Sequence, residues 1–268
     1  MSAWEKVELA RKQGRPTAQG YIAALFEDFL EMHGDRRFGD DAAVMAGVAT
    51  FEGNPVTIIG LEKGRDTKER IYRNFGCANP EGYRKALRLM KQAEKFHRPV
   101  ICIVDTSGAY AGLGAEERGQ GEAIAENLME MMTLKTPVIT FVIGEGGSGG
   151  ALALAVSDEV WMLENAWYSV ISPEGCASIL WRDTARVKEA AEALRLSAPD
   201  LLKLKVIERI IPEGEGAHVN AEGVYEAIRG ALSEKLAELC KTDVQKLLDR
   251  RYDRFRRMGY LEGEDVTW

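Results

Sequence analysis

The sequence is poor in the residues that most enzymes use for acid–base and metal chemistry. There are only three histidines and four cysteines in 268 residues. Cys77, Cys102, Cys176 and Cys240 lie far apart and form no CxxC, so neither a zinc ribbon nor a disulfide framework is indicated, and no spacing of His or Cys suits metal ligation. No apolar run approaches the roughly 20 residues needed to cross a bilayer. The opening residues Met1, Ser2, Ala3 and Trp4 lead into Glu5 and Lys6 rather than an apolar h-region, so no secretory signal is expected. Positive charge is also in deficit, with a formal net charge of -7, which argues against a general polyanion or nucleic-acid binder. Together these absences point to a cytoplasmic globular protein with reduced thiols, long enough for a substantial core.

What is present is a repeat. Residues 55–60, 99–105 and 137–144 each begin with proline, continue as a β-branched apolar run and end at Gly or Asp. Proline is tolerated at the first residue of a strand, and unbroken apolar runs suit strands buried on both faces. The prolines recur at intervals of about 40 residues, a period that indicates stacked strand–helix units. Tyr83, Ala86, Leu87 and Met90 predict a helix just after Pro80, and Ile124, Leu128, Met131 and Met132 predict a second. Residues 149–156 read as a short helix of small side chains. A degenerate fourth unit runs from residues 159–163 through Ser172, an N-cap, and Pro173, at the first helical position. Residues 1–33 read as mostly helical, with Tyr21, Leu25, Phe29 and Met32 on one stripe. Val224, Ile228, Ala231 and Leu232 mark a C-terminal helix. It leads to a segment with five arginines between Arg250 and Arg257, read as a solvated or partner-binding helix with Leu247, Leu248, Tyr252 and Phe255 on its apolar side.

The chemistry is expected in the loops. Gly144, Glu145, Gly146, Gly147, Ser148, Gly149 and Gly150 stand between a buried strand and a helix, where outward-pointing N–H groups suit an anion. One repeat earlier lies the loop of Thr106, Ser107, Gly108, Ala109, Tyr110, Ala111 and Gly112. Two such loops in register would bring N–H donors together around a developing oxyanion, whereas one alone would be only a tight turn. The same run satisfies two other patterns. Gly144, Gly146 and Gly149 match the dinucleotide pattern GxGxxG, with Glu164 as the acidic partner, although no second nucleotide-binding half follows. Gly146, Ser148 and Gly150 match the nucleophile elbow GxSxG, with Asp183 or Asp200 and His218 following in order. His97 ends a helix, and His33 and His218, beside glycine-bearing loops, read as surface residues. Lys63, Arg65, Lys68, Arg70 and Arg73 form a basic cluster that is either a solvated, salt-bridged face or a phosphate site.

Several blocks in order resemble a known family: GRDTKE at 64–69, RNFG at 73–76, PEGYRKALRLM at 80–90, GAEERGQ at 114–120, residues 144–152, and YSVISPEGCASILW at 168–181. They are similar to the carboxyltransferase alpha subunits of bacterial multi-subunit acetyl-CoA carboxylase. The resemblance extends over about residues 21–220. It implies an α/β fold of crotonase-like type, a superhelix of repeated ββα units with flanking N- and C-terminal helices, residues 221–268 forming a C-terminal helical extension to a single domain. It implies transfer of a carboxyl group from carboxybiotin, borne on the biotin carboxyl carrier protein, to acetyl-CoA. It also implies a zinc-bearing beta subunit in an alpha2beta2 assembly, with biotin carboxylase acting upstream. By resemblance, Gly146 and Gly147 supply N–H groups to the biotin oxygen, while the beta subunit holds the enolate. The repeat adds Gly108 and Ala109 as donors. Tyr110, in the first loop, and Lys63 and Arg65, of the basic cluster, are expected as substrate contacts. Many members carry proline where this chain has Ser107 and Ala111. The other functions considered are a GxSxG serine hydrolase and a non-catalytic docking subunit for the biotin carrier.

Overall fold

The computed structural model describes residues 1–258. Eight strands form one sheet: β1 Glu27–Glu31, β2 Val44–Phe51, β3 Asn54–Leu61, β4 Val100–Thr106, β5 Val138–Gly147, β6 Glu159–Leu163, β7 Trp167–Ser169 and β8 Arg209–Ile211. Their order is β1-β2-β3-β4-β5-β6-β8, with β7 pairing separately to β5. β1, β2 and β3 are antiparallel, and every pairing from β3 onward is parallel. The helices are α1 Ala3–Ala10, α2 Ala18–Leu25, α3 Thr67–Tyr72, α4 Pro80–Lys95, α5 Leu113–Glu117, α6 Gln120–Met132, α7 Ser148–Leu152, α8 Pro173–Trp181, α9 Val187–Ala193, α10 Ala198–Lys203, α11 Ala221–Leu239 and α12 Val244–Arg256.

The three proline-led runs are β3, β4 and β5, and the apolar runs after their prolines are buried along their whole length. Such strands need cover on both faces; the crossover helices α4 and α6, packed on each other, supply one layer, and α2, backed by α11, also packs on β3 and β4. Tyr83, Ala86, Leu87 and Met90 are all buried on α4, as their spacing predicts. In the fourth unit the Ser172 hydroxyl accepts from the Gly175 N–H at 3.1 Å, with Pro173 opening α8. The helix after β5 is shorter than expected and ends at Leu152. The carbonyls it leaves open at Ala153 and Leu154 accept instead from Asn127 Nδ2 and Thr140 Oγ1.

β5 divides its pairing. Ile139–Val142 run beside Glu159–Met162 of β6, whereas Glu145–Gly147 run beside Trp167–Ser169 of β7. On the other edge, its register with β4 shifts between Val104 and Thr106. The strand therefore changes partner on one edge and shifts register on the other around residues 143 and 144, a departure from the even pairing of a flat doubly wound sheet.

Two expectations are corrected. Residues 1–33 are not mostly helical: α2 stops at Leu25, Phe26 is extended, and residues 27–31 form edge strand β1. Tyr21 and Leu25 share a helix face, but Phe29 and Met32 reach the core from β1 and the residue following it. Gly47 of β2 permits that pairing, since a Cβ there would lie 2.1 Å from the Leu30 carbonyl oxygen. β2 itself joins β3 through Glu52 and Gly53, both at positive φ, a two-residue hairpin.

The arginine-rich segment is helical but not simply solvated. α12 carries Leu247 into the same core as the strands, together with Val224, Ile228 and Leu232 of α11. Arg251 is 1% exposed. Its guanidinium donates to both Asp158 oxygens at 2.8 and 2.9 Å and to the carbonyls of Met131, Leu134 and Thr136. Those carbonyls end α6 and begin β5, so one side chain fastens α12 across the core. Removing one partner of such a pair leaves the other charge buried. Arg251→Leu is therefore expected to lower the unfolding free energy by about 3–5 kcal/mol, read by urea denaturation. Pairing it with Asp158→Asn should recover part of that loss; an unchanged denaturation midpoint in the single variant would contradict the assignment.

Candidate functional site

The C-terminal ends of β3, β4 and β5 meet at three charged side chains. Lys63, just after β3, donates to Asp105 Oδ1 of β4 and to Glu145 Oε2 of β5, each at 2.7 Å. The Glu145 N–H donates to Asp105 Oδ1 at 2.9 Å. Arg11, at the end of α1, donates to Glu145 Oε1 at 2.7 Å and to Glu174 of α8 at 2.5 Å. All three strand ends and two helices are thus tied by one chain of ion pairs. Burial pushes the Glu145 carboxyl up, but Lys63 and Arg11 outweigh it and hold the group below its ordinary range. Burial likewise opposes the Lys63 ammonium, and its two carboxylates outweigh it and raise its pKa.

Above this network the two glycine-rich segments touch. A Cβ on Gly147 would lie 2.0 Å from the Ser107 carbonyl oxygen, and one on Gly150 would lie 2.4 Å from the Ala109 nitrogen. Only glycine allows this approach. Residues 144–147 are not a loop, however: they continue β5, held by β7 on one edge and by Thr106 opposite Gly146 on the other. The 106–112 segment is a true loop, closed by Thr106. Its hydroxyl accepts from the Gly108 N–H at 3.1 Å and donates to the Gly108 carbonyl at 2.8 Å. The Gly108 N–H is therefore already engaged. Tyr110 is 42% exposed, with its N–H donating to the Ala78 carbonyl. An apolar cavity of ≈ 360 Å³ opens from Ser148 and Gly149, walled by Leu152, Tyr168, Val206 and Phe255.

The other candidates disperse. Lys63 is half-buried and held by its two carboxylates, whereas Arg65 is exposed and braced by Glu69 at 2.8 Å. Ser148 has φ 55°, the strained backbone of an elbow residue, and is exposed. None of the other described residues hydrogen-bonds its hydroxyl, and no triad forms around it. Asp183 accepts from the Ala185 N–H and Asp200 accepts from Ser197. His218 lies beside Gly14 and Gly216. It is half-buried rather than a surface residue, with Nδ1 enclosed and without a partner, and burial lowers its pKa. Glu164, the acidic residue of the dinucleotide pattern, accepts instead from the N–H groups of Glu213 and Gly214.

Sequence reasoning missed Arg11, Asp105, Glu145 and Glu174. The available signal was a carboxylate at the end of two successive apolar runs: Asp105 closing one, and Glu145 interrupting the glycine run.

The fold is that of crotonase-type carboxyltransferases. The chain superposes on transcarboxylase 12S, solved with methylmalonyl-coenzyme A and methylmalonic acid bound, with a TM-score of 0.71 and 18% identity. That match covers 89% of this chain and 45% of the transcarboxylase chain, so this protein spans less than half of it. A Pseudomonas malonate decarboxylase hetero-tetramer in complex with coenzyme A gives a TM-score of 0.64 at 21% identity, over 82% of this chain and 91% of the other. At those identities the likeness is one of fold. In sequence, residues 1–259 match the model of the acetyl co-enzyme A carboxylase carboxyltransferase-like family. The chain is 58% identical over 268 residues to the acetyl-coenzyme A carboxylase carboxyl transferase subunit alpha of Shouchella clausii, covering 100% of this chain and 83% of that protein. It is 59% identical over 261 residues to the same subunit of Ruminiclostridium cellulolyticum, covering 97% and 99%. The chain belongs to the acetyl-CoA carboxylase carboxyltransferase alpha-subunit family.

The ion-pair chain makes a pH prediction. Glu145, with its folded pKa depressed, contributes stability that is present above its ordinary value of 4.5 and lost as pH falls below it. Lys63, raised above 10.5, contributes stability fully present below that value and lost only at more alkaline pH. Thermal stability should therefore owe no slope to this pair between about pH 5 and 10 and should fall on acidification. Glu145→Gln should cost about 1.5–3 kcal/mol at neutral pH and flatten the acid limb, read by melting curves from pH 3 to 8. An acid limb as steep as that of the wild type would count against the network.

Proposed function

We propose that this chain is the alpha half of a carboxyltransferase that moves a carboxyl group from carboxybiotin, carried on the biotin carboxyl carrier protein, to acetyl-CoA. The product would be malonyl-CoA, at the first committed step of fatty acid biosynthesis in the cytoplasm. The observation that carries the reading is the packing of Gly147 and Gly150 onto residues 107–109, which sets backbone groups of two repeats side by side at the sheet's C-terminal edge.

Acyl transfer of this kind needs fixed dipoles where negative charge develops. In this reading the N–H groups of Gly146 and Gly147 would turn to the ureido oxygen of biotin by leaving the ladders to β4 and β7 in which the strand holds them, and the apolar cavity beside Ser148 receives its ring system. Carboxybiotin supplies the carboxyl group and, once that has left, a basic nitrogen, which accounts for a site without a histidine base. Ala109 supplies the neighbouring donor. Gly108 would do so only if its N–H left Thr106. Tyr110 and Arg65 line the approach of the CoA ester. Lys63 acts from below by holding Glu145 and Asp105 in place. The beta subunit, in an alpha2beta2 assembly, would hold the thioester enolate, and biotin carboxylase would recharge the carrier.

Two experiments test this reading. With a beta subunit and carboxylated biotin carrier supplied, malonyl-CoA should form, and the chain alone should give none; robust turnover by the chain alone would overturn the shared-site model. In the reconstituted complex Ser148→Ala should keep most of the activity. Gly147→Ala, which drives a Cβ into the Ser107 carbonyl, should lose on the order of 10²–10³ in turnover. Circular dichroism would establish that each variant is folded. A dead Ser148→Ala beside an active Gly147→Ala would overturn the backbone-donor mechanism.

A further inference from the structure

A second cavity, of ≈ 420 Å³, shares no lining residue with the first. It is walled by the chain leading into α2 and by the β3–α3 connection. Three arginines line it. Arg15 is held by Glu213 at 2.7 Å, with a further bond to the Ile143 carbonyl, and Arg65 is held by Glu69. Arg70 is different. It is half-buried, its Nε donates to the Gly64 carbonyl at 3.3 Å, and it has no carboxylate partner among the described residues. One uncompensated guanidinium therefore faces the cavity between two that are braced in place. Of the carboxylates nearby, Glu62 is 1% exposed and is consumed by the N–H groups of Gln19 and Gly64, and Asp66 caps α3 by accepting from the Glu69 N–H.

The second observation concerns hydroxyls. Thr17 precedes α2 in the N-cap position, yet its hydroxyl caps nothing. It lines the cavity, the residue is 7% exposed, and its Oγ1 is buried with no hydrogen-bond partner. A buried unsatisfied polar atom costs about 1–3 kcal/mol, and native proteins seldom leave one without use. Tyr225, whose hydroxyl lies against Gly20, closes the cavity on the α11 side.

Resting on the carboxyltransferase reading, we infer that this cavity binds a phosphate-bearing ligand, with Arg70 pairing its charge, Arg65 and Arg15 framing it, and the Thr17 hydroxyl donating to a phosphate oxygen. An arginine fork matches phosphate geometry, and a hydroxyl donor adds direction. The same chemistry is offered by the nucleotide end of a CoA ester and by a free phosphorylated metabolite.

The test is direct binding to the full-length chain by calorimetry, using inorganic pyrophosphate and adenosine 3′,5′-bisphosphate at two salt concentrations. At least one probe should bind with salt-weakened affinity. Arg70→Gln should weaken it tenfold or more, and Thr17→Val should weaken it several-fold, with melting temperatures within a few degrees of wild type. Tighter binding of the bisphosphate assigns the site to the CoA nucleotide, and tighter binding of pyrophosphate assigns it to a free phosphorylated ligand. No binding of either probe, or equal binding by wild type and Arg70→Gln, overturns the proposal. Because no turnover is measured, either result leaves the carboxyl-transfer reading to stand or fall on its own assay.

Discussion

A lysine ammonium between two carboxylates fixes the relative height of three parallel strands. Lys63, Asp105 and Glu145 sit at the ends of β3, β4 and β5, and their contacts are short enough to leave little play. Parallel strands on their own are held by backbone bonds that tolerate slippage along the strand direction; a buried ion triad does not. Everything above depends on that height. The glycine contacts between residues 147–150 and 107–109 exist only if β4 and β5 end where they do. Through Arg11 and Glu174 the same constraint reaches α1 and α8, so the outer helices are registered to the sheet by charge as well as by packing. Charges buried at such a site are costly to bring out of water, which makes them poor stabilisers but strict position markers.

Much of the architecture was legible because it is repetitive. Three proline-led apolar runs with a common period give parallel strands and crossovers, and the stripe through Tyr83 and Met90 gives α4. The N-cap of α8 could be read from Ser172 and Pro173 alone. The misreadings share a cause. Phe29 and Met32 fit a helical spacing with Tyr21 and Leu25, but an edge strand beginning at residue 27 presents similar residues to the same core, and periodicity does not record the break at Phe26. β2 escaped notice because its Ala and Gly residues dilute the apolar signal. Arg251 was read as solvated or partner-binding because arginine usually is; its burial is set by carbonyls more than a hundred residues away.

The site was legible in part for the same reason. The two glycine segments were placed together from their common position in the repeat, and the structure brings them into contact. Their local state was not foreseen: the second is strand rather than loop, because β7, a strand of three residues, pairs with it. The serine-hydrolase pattern shows the opposite limit. A five-residue motif and a strained Ser148 are local properties, and both are present. The histidine and aspartate such an enzyme needs are long-range properties, and neither comes to the serine. The ion triad lay between these cases, visible as carboxylates at strand ends, with a pairing that only the folded chain defines.

The Arg251 clasp has a consequence in time. A ribosome adds about 5–20 residues per second. Arg251 lies 93 residues beyond Asp158 in the chain, so roughly 5–20 s separate the two. Through that interval β1 to β5 are already made and β6 to β8 are being added, but the cation that neutralises Asp158 and satisfies three carbonyls beside β5 is missing. The carboxylate must stay hydrated, and the edge around residues 131–136 must stay open to water. The core therefore closes late in synthesis, and the interval before closure is when this chain is exposed to chaperones and to misassociation.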